Sequence, residues 1–486
     1  MGGLFCANFL ARGGMKTLLI ERHSMLGGYC STFRRNGYLF DAATHFYPLL
    51  GNPDTITGKL VAELDLPTEW IKMDPVDQFH LPGMGSFAVP ADLDAFLAKL
   101  KTWFPDESQA IDKFFLDLRQ AYLYGLLLYF REVEHPRAVE LSKLTLEQKL
   151  NQSFHNPALK TLLMADGSHW GSVPGRTSYL FDAMLRLAYF LGNYYPRGSS
   201  QRFADDLGAT LQGSGGNVLR CAEVERILVK DGQAQGVRVK TLSRRASETF
   251  EFRAPFVVSN ADAIRTYRDL LGGEGVCGEM LARLEPLRPS YPCSLVHHGL
   301  RGMDPKRLAD AEGYYWSSHD PNDILRNVFK IFVPTRFDPD LAPPGGQILI
   351  VQKVTPIRLE EIEDWAAHKA ELEFRIGERL REILPGIDDH IVVRMTATAM
   401  TSHRYTNNEQ GAMLGWEMSP GQLGKARPPI ETPIENLYLA GHWTRPGGGV
   451  TPAIISGHRV ARRILSGRSG TAAALEYLAS APSGEG

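Results

Sequence analysis

Residues 2–28 read GGLFCANFLARGGMKTLLIERHSMLGG, and this stretch sets the fold class. Leu4, Phe5, Phe9 and Leu10 recur at helical spacing, Gly13 and Gly14 stop the helix, and Thr17 to Ile20 form a short, largely apolar strand. Glu21 closes that strand. An acidic side chain there, about 20 residues past a glycine-rich turn, is placed to accept hydrogen bonds from an adenosine ribose. Gly2 and Gly3 stand where the last glycines of such a turn would lie, at a helix N-terminus that can meet a diphosphate. The preceding strand and the first half of the GxGxxG pattern are not in the text. The expectation is a chain whose natural start lies upstream of Met1, or which has been trimmed, with its diphosphate contacts in question.

Outward from this unit, Leu26-Gly27-Gly28-Tyr29 and then Gly37-Tyr38-Leu39-Phe40-Asp41-Ala42-Ala43-Thr44-His45 form a paired-glycine loop leading into a short hairpin. Doublet glycines let backbone amides face a phosphate or a ring edge. At the far end, residues 436–465 read NLYLAGHWTRPGGGVTPAIISGHRVARRIL: strand, glycine-dense loop, helix. Gly441 ends the strand, and Gly447, Gly448 and Gly449 remove side chains where the loop must lie against a flat ring. The helix that follows, expected to start near Thr451 to Ala453, aims its positive end at a flavin's pyrimidine carbonyls. His442 is either a packed, hydrogen-bonded residue of that loop or a group that moves a proton.

Composition closes other routes. In 486 residues, 43% are hydrophobic and 22% charged, the balance of a folded chain with room for two or three units. The net charge of −2 provides no basic field for nucleic acid. Five scattered cysteines give neither a disulfide framework nor a zinc site, so no metal is expected, and a reduced compartment is. No apolar run reaches the roughly 18 to 20 residues of a spanning helix, and no signal pattern is read. One run, Ala121 to Phe130, is uncharged and rich in leucine and tyrosine. It reads as a buried core helix, an interfacial helix dipping into a bilayer, or a tunnel wall.

Together these motifs resemble the phytoene desaturase, carotenoid isomerase and retinol saturase family of FAD-dependent oxidoreductases. The resemblance spans nearly the whole chain. It includes GGL…IERHSMLGG, YYPRGSSQRFADDL (194–207), GNVLRCAEVERILVKDGQAQGVRV (216–239), FVVSNADA (256–263), RYTNNEQGAMLGW (404–416) and AGHWTRPGGGV (440–450). It implies FAD, held at the adenosine end by Glu21 and Arg22, on the phosphate side by Gly27 and Gly28 with Gly2 and Gly3, at the adenine by Val224, and at the ring by Gly441, His442, Gly447, Gly448, Gly449 and Val450. It implies a long apolar polyene or isoprenoid as substrate, with desaturation, cis–trans isomerisation or retinol-type saturation as the reaction. No catalytic residue is assigned, although Tyr194, Tyr195, Arg197, Arg404, Tyr405 and Trp416 belong to matching segments.

The fold expected is α/β: a Rossmann-like FAD-binding domain discontinuous over 1–60, 190–285 and 430–468, with two insertions. Residues 61–189 read as mainly helical, from amphipathic stretches at Leu93 to Phe104, Ala110 to Leu118 and Leu146 to Leu163, and as a candidate membrane-associating region. Residues 286–429 read as an α+β substrate region, with strands at Ser294 to Leu300, Asn327 to Val333 and Gln347 to Val354 and a long helix from Leu359 to Leu384. Residues 469–486 read as a flexible tail. A cytoplasmic protein bound peripherally to membrane is the expectation. Two other readings compete: a flavin-free isoprenoid binder resembling the Rab GDP dissociation inhibitors, which share the architecture, and an amine oxidase, whose aromatic cage cannot be located in the sequence.

Overall fold

The computed structural model describes residues 1–242, 247–467 and 470–480. Helix α1 (Gly2–Arg12) ends at Gly13 and leads to strand β1 (Leu18–Ile20). β1 pairs in parallel with β2 (Asn217–Leu219), Leu18 opposite Asn217 and Ile20 opposite Leu219. A second parallel pair joins β3 (Val257–Ser259) to β4 (Leu437–Leu439). Among the described residues β1 and β3 are not bonded to each other, and both present residues to one cavity. Beside them the strands Ala222–Lys230, Gln233–Thr241 and Thr249–Arg253 form an antiparallel sheet. Its first turn is Asp231-Gly232, both at positive φ (51° and 76°), as a two-residue hairpin turn requires.

A seven-stranded sheet forms the other half. Its order is Ile391–Ala397, Cys293–Arg301, Gly346–Val354, Phe329–Phe332, Gly313–Tyr315, Asp77–Leu81 and Gly85–Val89, antiparallel except between Gly313–Tyr315 and Asp77–Leu81. The last two strands come from the stretch read as mainly helical. Helix Trp365–Ile383 packs Ile376 and Leu380 against Val296, Leu349 and Val351.

Two helical runs read from periodicity differ in detail. The run 146–163 is two helices, Leu146–Ser153 and Pro157–Leu163, because Pro157 has no N–H to continue the first. Asn156 restarts it by accepting from the Ala158 and Leu159 N–H groups. The run 359–384 opens as a 3₁₀ turn, and its helix begins at Trp365, where Asp364 caps Ala366 and Ala367.

Helix α2 (Ser108–Arg131) contains the run 121–130 and packs on α3 (Tyr179–Phe190). A Cβ at Gly125 would lie 2.6 Å from the Met184 side chain, so the glycine sets how closely the helices approach. On α2, Ala121, Leu128 and Tyr129 are buried, Tyr122, Leu126 and Phe130 reach the cavity, and Leu116 and Leu123 are 59% and 61% exposed. The run is core and tunnel wall at once. No helix among the described residues is long and apolar enough to cross a membrane.

Helix α4 (Val450–Leu465) starts at Val450, slightly earlier than read, and packs Ile454, Val460 and Ile464 with Leu4, Phe5 and Phe9 of α1. The stretch beyond Ser466 departs from a frayed tail: α5 (Ala472–Ala479) buries Ala474 and Tyr477, and Arg283 donates to the Ser480 hydroxyl at 2.9 Å. Residues 468–469 and 481–486 of that tail lie outside the described residues.

Candidate active site

A cavity of about 1200 Å³ runs from β1 to the inner face of α2 and α3. It exceeds the roughly 300–1,000 Å³ of an ordinary small-molecule pocket and has room for a dinucleotide and an extended second molecule. At one end Glu21 lines it, one carboxylate oxygen taken by the His23 N–H at 2.8 Å. Burial raises the Glu21 carboxyl above its usual range. Arg22 stands beside it with Nε 3.4 Å from the Glu223 carboxylate, and one guanidinium nitrogen donates to the Arg404 carbonyl at 2.9 Å. Val224 contributes to the same wall, its backbone in register with Val239.

Further in, α1 begins on the cavity with no acidic residue in its first turn and no cap from the Met1 side chain, so no negative charge meets the positive end of the helix. Gly2 has no space for a side chain: a Cβ would lie 2.6 Å from Asn260 Oδ1 and 2.7 Å from the Gly441 nitrogen. The Gly3 N–H donates to Asn260 Oδ1 at 2.7 Å. Gly27 and Gly28 line the opposite wall at φ 111° and 60°.

The loop after β4 closes the third side. The Gly441 N–H donates to Ser456 Oγ at 2.8 Å, and α4 starts uncapped at Gly449, again without an acidic first turn. A Cβ on Gly448 would meet the Leu414 carbonyl at 2.2 Å. Gly441, His442, Gly448, Gly449 and Val450 all line the cavity. Gly447 does not: its Cβ position faces the Arg427 guanidinium at 3.2 Å, so it supports the loop from behind. Burial pushes the His442 ring down to about 3, which keeps it neutral.

Sequence reasoning missed Arg427, which anchors this loop. It is fully buried and donates to the carbonyls of Trp416 (2.7 Å), Glu417 (3.1 Å), Gln422 (2.9 Å) and His442 (3.4 Å). Nothing in its surroundings KARPPI marks it. Asn260 lies in the FVVSNADA stretch, and its contacts with Gly2, Gly3 and Gly441 are what distinguish it.

Of the six residues in matching segments, Tyr405 alone reaches the cavity. Tyr195 donates to Asp41 Oδ2 at 2.6 Å, Arg197 pairs with Glu69 at the surface, and Trp416 donates to the Trp443 carbonyl. The Tyr194 ring fills the space beside Gly51 and Gly192, and Arg404 meets Arg22 through its carbonyl. Two helix N-termini without an acidic first turn, glycine backbones without space for side chains and an acidic residue on one continuous cavity fit a flavin dinucleotide. Past the loop the walls turn apolar, with Leu126 and Phe130 of α2 facing Phe181, Met184 and Leu185 of α3.

Comparison with known proteins agrees with this geometry. A family model described as flavin containing amine oxidoreductase matches residues 1–465. Prolycopene isomerase 1, chloroplastic, of an Oncidium hybrid cultivar is 28% identical over 502 residues, which cover 96% of this chain and 82% of that protein. Human all-trans-retinol 13,14-reductase is 26% identical over 509 residues, 90% of this chain and 80% of that one. Among solved structures, an oxidoreductase from Methanosarcina mazei superposes with a TM-score of 0.68 at 16% identity, covering 95% and 98% of the two chains. Putrescine oxidase bound to putrescine gives 0.66 at 15% identity, covering 96% and 97%. The flavin-free reading loses its ground, because the matching family is flavin containing.

Proposed function

This chain belongs to the flavin containing amine oxidoreductase family and is an FAD-dependent oxidoreductase, and on that footing we propose that it acts on a long apolar polyene, as a carotenoid desaturase or cis–trans isomerase or as a retinol saturase-like reductase. The observation that carries this is the apolar extension of the cavity beyond the glycine loop, walled by α2 and α3. Relatives named for polyene chemistry, prolycopene isomerase and all-trans-retinol 13,14-reductase, support it.

In this reading the nucleotide unit comprises 1–60, 190–285 and 430–468, its parallel pairs being parts of a Rossmann-like sheet, and residues 61–189 and 286–429 hold the substrate. Glu21 accepts from the ribose hydroxyls with Arg22 beside it, and Val224 lies along the adenine through its backbone. Gly2, Gly3, Gly27 and Gly28 present backbone to the diphosphate. Gly441, His442, Gly448, Gly449 and Val450 would hold the ring, with Gly447 bracing them, and the uncapped start of α4 would supply positive potential to it. Bound FAD supplies exchange of hydride or an electron with a carbon of the polyene. The protein's part is to align the chain beside the ring and to exclude water.

Peripheral membrane attachment belongs to the same reading. It is supported by exposed Leu116, Leu123 and Leu127 on the outer side of α2, with Val133 just past its end.

The test is to purify the holoprotein, confirm flavin absorbance, and supply phytoene, poly-cis-lycopene and retinol separately. An unchanged mass with a shifted spectrum identifies an isomerase, loss of two hydrogens a desaturase, gain of two a saturase. No turnover of any polyene, with peroxide formed from amines instead, overturns the proposal.

A further inference from the structure

The apolar channel carries an unpaired polar side chain. His45, four residues past the hairpin strand Tyr38–Asp41, lines the cavity and is 3% exposed, yet neither ring nitrogen has a hydrogen-bond partner. Its ring stacks on Phe332, with centroids 5.0 Å apart. Buried polar groups are nearly always paired, and leaving both sides of an imidazole unmade is costly.

The polar groups around it have already found each other. His169, also on the cavity, has its Nδ1 3.2 Å from the Tyr189 hydroxyl and its Nε2 against the Tyr314 hydroxyl. Lys330, 2% exposed, pairs with Asp77 at 2.7 Å. In the seven-stranded sheet Lys330 is opposite Gln352, and Gln352 lines the cavity with its Oε1 buried and unpartnered. Phe332, under the His45 ring, is two residues along from Lys330 on the same face. So an orphan acceptor stands on the same sheet wall as the ring on which the orphan imidazole stacks.

We propose that the substrate carries a hydroxyl group, as a polyene alcohol does, and that His45, with Gln352 beside it, grips that hydroxyl and so selects it over the corresponding hydrocarbon. This rests on the reading of the cavity as a polyene oxidoreductase site. Burial, with the Lys330 charge nearby, holds the His45 ring well below its usual range, so it is neutral and offers one donor and one acceptor. No protein partner fixes which nitrogen carries the proton. A hydroxyl has one proton to give and lone pairs to accept with, so it accepts from the His45 N–H and donates to Gln352 Oε1. An ether or ester oxygen only accepts. A carboxylate would bring a buried charge with no free counter-charge, since Lys330 is neutralised by Asp77.

The experiment titrates the holoprotein with retinol, retinyl methyl ether and the hydrocarbon lacking the oxygen, following the flavin spectrum for affinity and product formation for KM and kcat. The expected result is that retinol binds about tenfold tighter than the hydrocarbon. His45→Leu should abolish that difference by weakening retinol binding to the level of the hydrocarbon. His45→Gln, which keeps a donor and an acceptor, should restore it. Equal affinity for all three ligands in the wild type overturns the proposal. So does a His45→Leu protein that keeps the preference, or one that shifts the flavin spectrum without ligand while the preference survives, which would assign His45 to the cofactor. If no polyene perturbs the flavin at all, the substrate reading under "Proposed function" falls as well, and that outcome is told apart by its independence of the oxygen.

Discussion

Gly2 and Gly441 lie so close that a Cβ on the first would approach the backbone nitrogen of the second to 2.7 Å. Residues at the two ends of the sequence thereby form one wall of the cavity, and the contact depends on α1 and α4 packing without a side chain between them.

Gly457 tests that packing. A Cβ there would be 2.2 Å from the Gly2 carbonyl oxygen and 3.1 Å from the Cys6 nitrogen, both backbone atoms that cannot swing aside. Gly457→Ala should cost about 1–3 kcal/mol of stability and release flavin, since the start of α1 must move. Thermal unfolding with flavin fluorescence as readout checks this, and an alanine protein that melts with wild-type midpoint and full flavin content refutes the packing argument.

Glu21→Gln removes the charge expected on the ribose while keeping shape. Loss of a charge-assisted hydrogen bond should raise the Kd for FAD about 10- to 100-fold, measured by reconstituting deflavinated protein. Unchanged affinity would move the adenosine elsewhere.

The exposed leucines of α2 predict lipid binding. Liposomes should co-sediment the protein, and Leu116→Glu with Leu123→Glu, both at well-exposed positions, should leave most of it in the supernatant with thermal stability within about 0.5 kcal/mol of the parent. Wild-type protein that never pellets, across lipid compositions, removes the membrane role.

His298 predicts an acid-side loss of stability. It is 1% exposed, and burial, with Arg394 next in effect, pushes its ring from 6.5 down to about 3. The unfolded chain therefore binds a proton that the folded one refuses. This contribution is complete above pH 6.5 and is lost as pH falls from 6.5 toward 3, with a slope of up to ~1.4 kcal/mol per pH unit. Denaturant unfolding at several pH values should show the slope, and His298→Asn should reduce it by one proton's share, leaving that of the other buried histidines such as His442. An unaltered slope would place the titration on other groups.

What the sequence disclosed and what it hid follow from the range of the forces involved. Helix α1, β1, the Asp231-Gly232 turn and the loop from Gly441 to Val450 are set by neighbours within a few residues, and each is legible from spacing and glycine placement. Gly447 shows the limit: it carries the same local signature as Gly448, yet one faces the cavity and the other faces Arg427. Arg427 and the His45, Gln352 and Lys330 group are assembled from segments far apart in the chain. No period marks them. The split at Pro157 was available in the text and was outweighed by an apolar repeat that continues across it, while α5 was concealed by a composition of small residues that only packing on Arg283 and Ala426 makes ordered.

Helix α2 turns Leu116, Leu123 and Leu127 outward and Leu126 and Phe130 inward from a single rod about 10–12 Å across. Anything greasy that settles on the outer surface is therefore separated from the bore by one helix thickness.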